Sequence, residues 1–146
     1  MIVTTATSPI DIVVRRYFDS FALAEPDITA SFVSPDFINE HTAALGSDCV
    51  GREAYRARLP GFLRDMDGLE YKIENLVIDD EAGQAAAFYT MTARWQGEAP
   101  FSVRGAQRLV IVDGLITHRT DYWDSAVFLS QANESARKDL AKYGIS

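Results

Sequence analysis

The feature that most constrains the fold is the Asp113-Gly114 pair near the end of the chain. It separates two runs in which apolar and polar residues alternate, one ending at Val112 and the other running from Leu115 to Trp123. An Asp-Gly pair in this position is the strongest short-range signal for a tight β-hairpin, because both residues tolerate the positive φ that hairpin turns need. The two runs therefore predict adjacent antiparallel strands.

Four such runs follow one another in the second half of the chain. Short segments rich in turn-forming residues separate them, so consecutive strands must pair in antiparallel fashion. The predicted strands are Leu69 to Ile78, Ala85 to Gln96, Phe101 to Val112, and Leu115 to Trp123.

Helices are predicted before and after these strands. Ser8, Pro9 and Asp11 form a typical helix start, with a capping side chain, a proline in the first turn and an acid beside it. We also expect a kink or break at Pro60-Gly61, because proline removes a backbone donor. The predicted elements are a helix from Pro9, a short helix over Asp27 to Phe32, a strand over Phe37 to His41, a helix over Gly51 to Met66 and a tail helix over Ser125 to Tyr143.

This order of elements predicts an α+β domain, in which helices pack on one face of an antiparallel sheet. A chain of 146 residues fits one domain over residues 1–146, with residues 125–146 as a helical tail. Because 47% of the residues are hydrophobic and 24% charged, the chain has the composition of an ordinary globular protein rather than a disordered one.

Charge and cysteine content exclude several functions. The net charge of -7 disfavours a nucleic acid or an anionic membrane as partner. No apolar run reaches the roughly 18 residues that span a bilayer, and the polar start from Met1 to Ser8 does not resemble a signal peptide, so we expect a cytoplasmic protein. With Cys49 as the single cysteine and two separated histidines, the chain offers no disulfide and no credible metal site.

The predicted strand from Leu115 to Trp123 contains the main candidate site residues. Side chains alternate across a strand, so the pattern predicts two faces. Leu115, Thr117, Arg119, Asp121 and Trp123 are expected on one face, and Ile116, His118, Thr120 and Tyr122 on the other. Asp124 directly precedes the tail helix and is expected to be its N-cap.

The pattern Gly-x-Ile at Gly114, then Asp-Tyr-Trp-Asp from Asp121, then Gln131, resembles the closing strand of a known superfamily. It is found in SnoaL-like and limonene-epoxide-hydrolase-like members of the nuclear-transport-factor-2-like superfamily. The resemblance implies a cone-shaped domain whose curved, mostly antiparallel sheet and helices enclose an apolar pocket. It also implies that Asp121 points into the pocket as acid or base, that no cofactor is needed and that the protein is a homodimer.

Two interpretations of Asp121 stand beside each other. In an apolar pocket, burial would raise the pKa of Asp121 toward the working pH, as proton transfer requires. Alternatively, Asp121 is a structural carboxylate that pairs with Arg119 or caps the tail helix. Arg119 in turn can hold either a substrate oxygen or Asp121.

His41 is the better of the two histidines. Its predicted strand face also holds Asn39 and should look into the concavity, so His41 and Asp121 can form an acid–base pair. The alternative is a hydrogen-bonded core histidine. His118 falls on the opposite strand face from Asp121 and is expected at the surface or in a subunit contact.

Further residues are candidates for the pocket wall: Tyr17 and Tyr55 on helices, and Tyr89, Met91 and Trp123 on strands. We expect Tyr89 to orient or share a proton with Asp121. In limonene-epoxide-hydrolase-like relatives the strand of Tyr89 supplies an Arg-x-Asp, which is absent here between residues 69 and 112, so epoxide opening is disfavoured. The steroid-isomerase pairing of a strand carboxylate with a helix tyrosine would need Glu40, which alternates out of the face of Asn39.

The function expected from the resemblance is a cofactor-independent acid–base enzyme, namely a cyclase, isomerase, dehydratase or hydrolase. Its substrate would be a small hydrophobic oxygenated ring compound such as a polyketide, steroid or terpenoid. The alternative is a non-catalytic binding or assembly module, since a fold does not decide function. A closed apolar pocket with Asp121 at its base and a second polar group within about 3 Å favours the enzyme. A filled core with Asp121 paired to Arg119 favours the module.

Overall fold

The computed structural model describes residues 7–146. Residues 1–6, part of the polar start considered above, lie outside the described residues. The helices are α1 (Pro9–Ser20), α2 (Pro26–Ala30), α3 (Arg52–Asp65), α4 (Ser125–Ala132) and α5 (Glu134–Ala141). The strands are β1 (Val33–His41), β2 (Cys49–Val50), β3 (Met66–Asp79), β4 (Gln84–Trp95), β5 (Pro100–Val112) and β6 (Leu115–Trp123).

All six strands belong to one curved sheet in the order β2-β1-β6-β5-β4-β3. The strands β3 to β6 pair consecutively in antiparallel fashion, as the short turns predict. Asp113 and Gly114 both have positive φ at the β5–β6 turn, which confirms the hairpin. β1 instead pairs with β6 in parallel, through a connection that spans half of the chain. The predicted α+β class is confirmed, with a mixed sheet.

A β-bulge at Thr117 corrects the predicted faces of β6. Ile111 pairs with Ile116 and Val110 with His118, so Thr117 is an extra residue without a partner on β5. A bulge shifts the alternation of side chains by one position. Ile116, expected on the outer face, is therefore fully buried with the inner face of the sheet.

The helix α1 packs its apolar stripe against the inner sheet face. The Ser8 side chain accepts a hydrogen bond from the Ile10 backbone at 3.2 Å, which confirms the predicted N-cap. Phe18 is buried and meets Tyr71 edge-on and Tyr89 in a tilted arrangement, with ring centroids 5.3 and 5.9 Å apart. Such aromatic contacts stabilise the layer beyond the area they bury.

Two helix predictions need correction. α3 continues through Pro60, so the predicted break is wrong, while the alternative of a kink there stays a prediction. Pro60 is exposed, and the buried Tyr55 and Leu59 hold the helix against the core. The single predicted tail helix is two helices, because Asn133 adopts an extended backbone and its side chain caps α5 by accepting from Ala136. None of the helices in the described part of the chain is long and apolar enough to cross a membrane.

Candidate active site

A buried ion pair lies on the inner face of the sheet. Arg119 Nη2 donates to Asp121 Oδ2 at 3.1 Å, and both residues are buried. Gln107 joins the two, since its Oε1 accepts from Arg119 Nε at 2.9 Å and its amide donates to Asp121 Oδ2 at 3.4 Å. The Tyr89 hydroxyl donates to Asp121 Oδ1 at 2.6 Å. The buried carboxylate thus accepts the hydrogen bonds that its charge requires.

Strand register brings these side chains together. Gln107 lies directly opposite Asp121 across the β5–β6 ladder, and Tyr89 lies opposite Gly105 across the β4–β5 ladder. A Cβ atom on Gly105 would stand 2.4 Å from the Tyr89 hydroxyl oxygen. Gly105 therefore leaves the space through which Tyr89 reaches Asp121.

The parallel pairing of β1 with β6 places His41 beside Asp121. His41 Nδ1 is 3.9 Å from Asp121 Oδ2, and it accepts a hydrogen bond from Trp123 Nε1 at 3.2 Å. Because an indole nitrogen only donates, this bond assigns the imidazole proton to Nε2. Nε2 has no hydrogen-bond partner among residues 7–146. Every fully buried polar side-chain atom in these residues has a partner, so Nε2 is not fully buried and is accessible.

The guanidinium of Arg119 is held on its other sides as well. Its Nη1 donates to Asn39 Oδ1 at 3.0 Å, and its carbon lies 5.9 Å from the centre of the Tyr17 ring. The hydroxyls of Tyr17 and Tyr55 hydrogen-bond to each other at 2.5 Å. These contacts fix the cation in place on the inner sheet face.

A cavity of about 550 Å³ opens beside this cluster, a size typical of small-molecule sites. Its polar wall includes His41, Tyr89, Arg119 and Asp121. The exposed residues Leu45, Ser47, Arg58 and Asn133 mark its mouth. The remaining wall is mostly aromatic and aliphatic, and includes Phe21, Leu59, Phe62, Met66, Tyr71, Trp95, Phe101, Val103, Phe128 and Leu129.

A second, shallower depression of about 580 Å³ is lined by residues such as Asp67, Thr92, Arg94 and Gln131, and it contains none of the buried acid–base groups. No cluster of three or more potential metal ligands occurs within residues 7–146. The buried acid–base groups described above therefore line the first cavity and not the second depression.

Burial controls the protonation of this cluster. Burial raises the pKa of Asp121 above its ordinary value, while the Arg119 guanidinium and the hydrogen bond from Tyr89 oppose that rise. Burial, reinforced by the cations Arg119 and Arg58, lowers the pKa of His41 to about 4. Burial likewise raises the pKa of Tyr89, reinforced by the neighbouring Asp121 carboxylate. At neutral pH His41 and Tyr89 are therefore uncharged.

The structure brings most of the predicted site residues to one cavity. The residues that line it are Asn39, His41, Tyr55, Tyr89, Met91, Arg119, Asp121 and Trp123. Tyr17 does not line it, and contacts Tyr55 and Arg119 instead. The roles assigned to these residues remain predictions.

Sequence reasoning missed Gln107, Tyr71 and Arg58. Gln107 carried a signal, because it is a polar residue at an inward position between Val103 and Leu109 on an alternating strand. Tyr71 had the same inward alternation on β3. Arg58 carried none, since a helix arginine is ordinarily exposed.

Other residues singled out in the sequence have structural positions. Asp124 Oδ1 accepts from the backbone of Ala126 at 2.9 Å, which confirms it as the cap of α4. Gln131 binds both the N–H and the C=O of Ser102 on β5, at 2.8 and 2.9 Å. Gln131 therefore ties α4 to the sheet.

Glu40 lies on the outer face, as its alternation predicts. Its Oε1 accepts from Thr120 Oγ1 at 2.8 Å and lies 3.3 Å from His118 Nε2. These bonds from Thr120 and His118 lower the pKa of Glu40. Glu40 is thus separated by the sheet from the cavity and cannot pair with Tyr17 there.

The chain belongs to the SnoaL-like domain family, whose model matches residues 14–119. No curated protein matches the chain. The matched region contains Asn39, His41 and Tyr89 but ends two residues before Asp121.

Solved structures share the fold at low sequence identity. A protein with a ketosteroid isomerase-like fold from Catenulispora acidiphila DSM 44928, in complex with trimethylamine, has a TM-score of 0.77 at 18% identity, over 86% of this chain and 95% of that one. A proposed SnoaL-like polyketide cyclase from Jannaschia sp. CCS1 has a TM-score of 0.74 at 15% identity, over 90% and 99%. An LEH-like epoxide hydrolase from M. tuberculosis has a TM-score of 0.70 at 18% identity, over 83% and 86%.

Proposed function

We propose that this protein is a cofactor-independent acid–base enzyme that acts on a small hydrophobic oxygenated ring compound. The family and its structural neighbours include proteins described as polyketide cyclases, isomerase-like proteins and epoxide hydrolases, so catalysis of this general kind is frequent on the fold. Cyclisation, isomerisation, dehydration and hydrolysis each need one proton donor and one acceptor in a site shielded from water.

One observation carries the proposal. Asp121, Tyr89 and His41 meet on one wall of a largely apolar cavity, with Tyr89 at 2.6 Å and His41 at 3.9 Å from the carboxylate oxygens. A purely structural ion pair needs no cavity beside it. This combination supports an enzyme over a filled structural core, although the cavity opens at a mouth rather than being closed.

Asp121, His41 and Tyr89 have different roles because their protonation states differ. Asp121 accepts a proton from a carbon or hydroxyl of the substrate and returns it to another position, and its raised pKa brings it nearer to the working pH. Neutral His41 donates a hydrogen bond from Nε2 to a substrate oxygen on which charge develops. Tyr89 stays protonated and stabilises the ionised form of Asp121 through its hydroxyl.

Epoxide hydrolysis is not the proposed reaction. The β4 segment Tyr89-Thr90-Met91 offers neither a guanidinium nor a second carboxylate. Met91 lines the cavity with an apolar thioether and cannot activate a water. Proton transfer at a single carboxylate therefore fits the site better.

The test is a screen of polycyclic ketones, hydroxyquinones and terpenoid alcohols by thermal shift, followed by turnover assays with each stabilising compound. Asp121→Asn should lower the turnover rate at least about 100-fold, the usual contribution of a general acid or base. Asp124→Asn is the matched control, because asparagine also caps helices and Asp124 is outside the cavity lining. Equal turnover by wild type and Asp121→Asn would remove Asp121 from the mechanism.

A non-catalytic ligand-binding module is the second candidate. It is supported by the pairing of Asp121 with Arg119 and Gln107, which fully accounts for a structural carboxylate. In that case compounds from the screen stabilise the protein but are recovered unchanged after prolonged incubation with the wild type.

A further inference from the structure

Arg58 is a cation at the cavity mouth that the proposed chemistry does not use. It is exposed on α3 and lines the cavity. Its Nη2 donates to the backbone oxygen of Ser47 at 2.9 Å and to the Ser47 hydroxyl, so the loop between β1 and β2 holds it in position. An arginine fixed in this way presents its remaining N–H groups without paying the full cost of ordering a mobile side chain.

Arg58 also differs from Arg56 and Arg119 in its partners. Arg56 on the same helix pairs with Asp27 at 2.5 Å, and Arg119 pairs with Asp121 at 3.1 Å. Among residues 7–146 no carboxylate lies within ion-pair distance of Arg58, whose hydrogen bonds go to the neutral Ser47. The mouth of the cavity therefore contains a cation whose charge is not compensated at contact.

The interior of the cavity is unfavourable for an anion. Arg119 is already neutralised by Asp121, and a second negative group there would face the Asp121 carboxylate in a site of low dielectric. Asp65, the other charged residue on the α3 side of the cavity, is seven residues from Arg58, which is about 10 Å along a helix. Among the charged residues that line the cavity, Arg58 therefore offers the most favourable place for an anionic group. Asp48 in the loop of Ser47 is outside the cavity lining, and its carboxylate accepts from the His41 backbone N–H at 2.7 Å.

We propose that the ligand of this cavity is amphipathic, with a ring system in the aromatic interior and an anionic oxygen group, such as a carboxylate, bound by Arg58 at the mouth. This inference rests on the proposed function only in taking the cavity as a ligand site. The protein has a net charge of -7, and salt screens charges beyond about 8 Å. Arg58 therefore selects the anion on contact rather than attracting it from a distance.

Two fluorescent probes with the same rings test the proposal. 8-Anilinonaphthalene-1-sulfonate carries an anionic oxygen group, and N-phenyl-1-naphthylamine lacks it. Wild type should bind the anionic probe more tightly than the neutral one. Arg58→Gln should weaken binding of the anionic probe about five- to tenfold, as expected for loss of one charge-assisted contact. It should change the affinity for the neutral probe by less than about twofold. Arg58→Lys should retain most of the preference.

Two matched variants separate charge from structure. Arg64→Gln makes the same charge change on the same helix at an exposed residue outside the cavity lining, and should leave both affinities unchanged. Ser47→Ala keeps the Arg58 cation and removes the Ser47 hydroxyl that accepts from it. It should weaken binding of the anionic probe less than Arg58→Gln does.

The remaining outcomes overturn the proposal in distinguishable ways. Equal weakening of both probes by Arg58→Gln would assign Arg58 a structural role in the loop alone. If Arg64→Gln weakened binding of the anionic probe as much as Arg58→Gln does, the loss of affinity would be due to net charge and not to contact with Arg58. Wild-type binding of the neutral probe without preference for the anion rejects only the anionic group, whereas failure to bind either probe also removes the cavity as a ligand site.

Discussion

At the scale of single residues, Gly105 determines whether the acid–base cluster can form. The Cβ atom of alanine at this position would lie 2.4 Å from the Tyr89 hydroxyl and 2.8 Å from the Tyr122 carbonyl oxygen. We expect Gly105→Ala to destabilise the protein by about 1–3 kcal/mol, the cost of overpacking a core. It should also lower turnover by moving Tyr89 away from Asp121.

Urea unfolding measures the stability of Gly105→Ala, and Gly61→Ala in α3 is its control. The nearest atom to a Cβ on Gly61 is 3.6 Å away, so alanine fits there and should be neutral or stabilising by up to about 1 kcal/mol. If both variants changed stability equally, the contact between Gly105 and Tyr89 would not be limiting.

His41 makes the stability depend on pH. Its pKa is about 4 in the folded protein against an ordinary 6.5, because of burial and the nearby cations. Below pH 6.5 the unfolded chain binds a proton that the folded chain refuses, so stability is lost as the pH falls toward 4. The expected loss between pH 7 and 5 is about 2 kcal/mol.

The measurement is the free energy of unfolding at pH 7 and pH 5 for wild type and His41→Gln. The variant has no imidazole to protonate and should lose about 2 kcal/mol less than wild type over this range. Equal losses in the two proteins would show that His41 is not held neutral by its surroundings.

At the scale of elements, Gln131 links α4 to β5. β6 ends at Trp123, which pairs with Gly105. On that side of β5 the N–H and C=O of Ser102 therefore have no strand beside them, and they bind Gln131 instead. We expect Gln131→Ala to destabilise the protein by about 1 kcal/mol, the net value of such hydrogen bonds. Hydrogen exchange at the Ser102 amide should accelerate.

Glutamate at position 131 is the matched comparison for alanine. Its carboxylate still accepts from the Ser102 N–H but cannot donate to the Ser102 carbonyl, so Gln131→Glu should protect the amide more than Gln131→Ala does. Unchanged exchange at Ser102 in Gln131→Ala would mean that the side chain does not hold α4 on the sheet.

At the scale of the whole molecule, the outer sheet face predicts a homodimer. Phe88 and Tyr122 are 44% and 48% exposed, and Ala106 lies between them in register across β4, β5 and β6. A row of apolar side chains on a sheet face is stabilised by burial against a partner. We expect sedimentation equilibrium to give a dimer at micromolar concentration.

Tyr122→Glu should shift this equilibrium toward the monomer, because it buries an unpaired charge in the interface. Leu23→Glu is the control, since Leu23 is also an exposed apolar residue but follows α1 on the helical side of the sheet. A wild-type monomer at micromolar concentration would refute the dimer and leave the outer face as ordinary surface.

Local signals explain most of what could be predicted. The Ser8 cap, the Asp113-Gly114 turn and the Asp124 cap depend on side chains and backbone angles within a few residues, and all three are confirmed. The predicted break at Pro60 failed because packing overrides a local signal, since the core holds α3 together there. The division of the tail helix follows from a local signal that the prediction overlooked, because Asn133 ends one helix and its side chain caps the next.

The sequence by itself determined the α+β class, the antiparallel order of β3 to β6 and the common strand face of Arg119, Asp121 and Trp123, because turn chemistry and strand alternation are local properties. The tertiary structure alone decided the parallel β1–β6 pairing that places His41 next to Asp121, the bulge at Thr117 and the bridging of the ion pair by Gln107. These features depend on which distant strands become neighbours, and that is set by the burial of the whole inner sheet face rather than by any short segment.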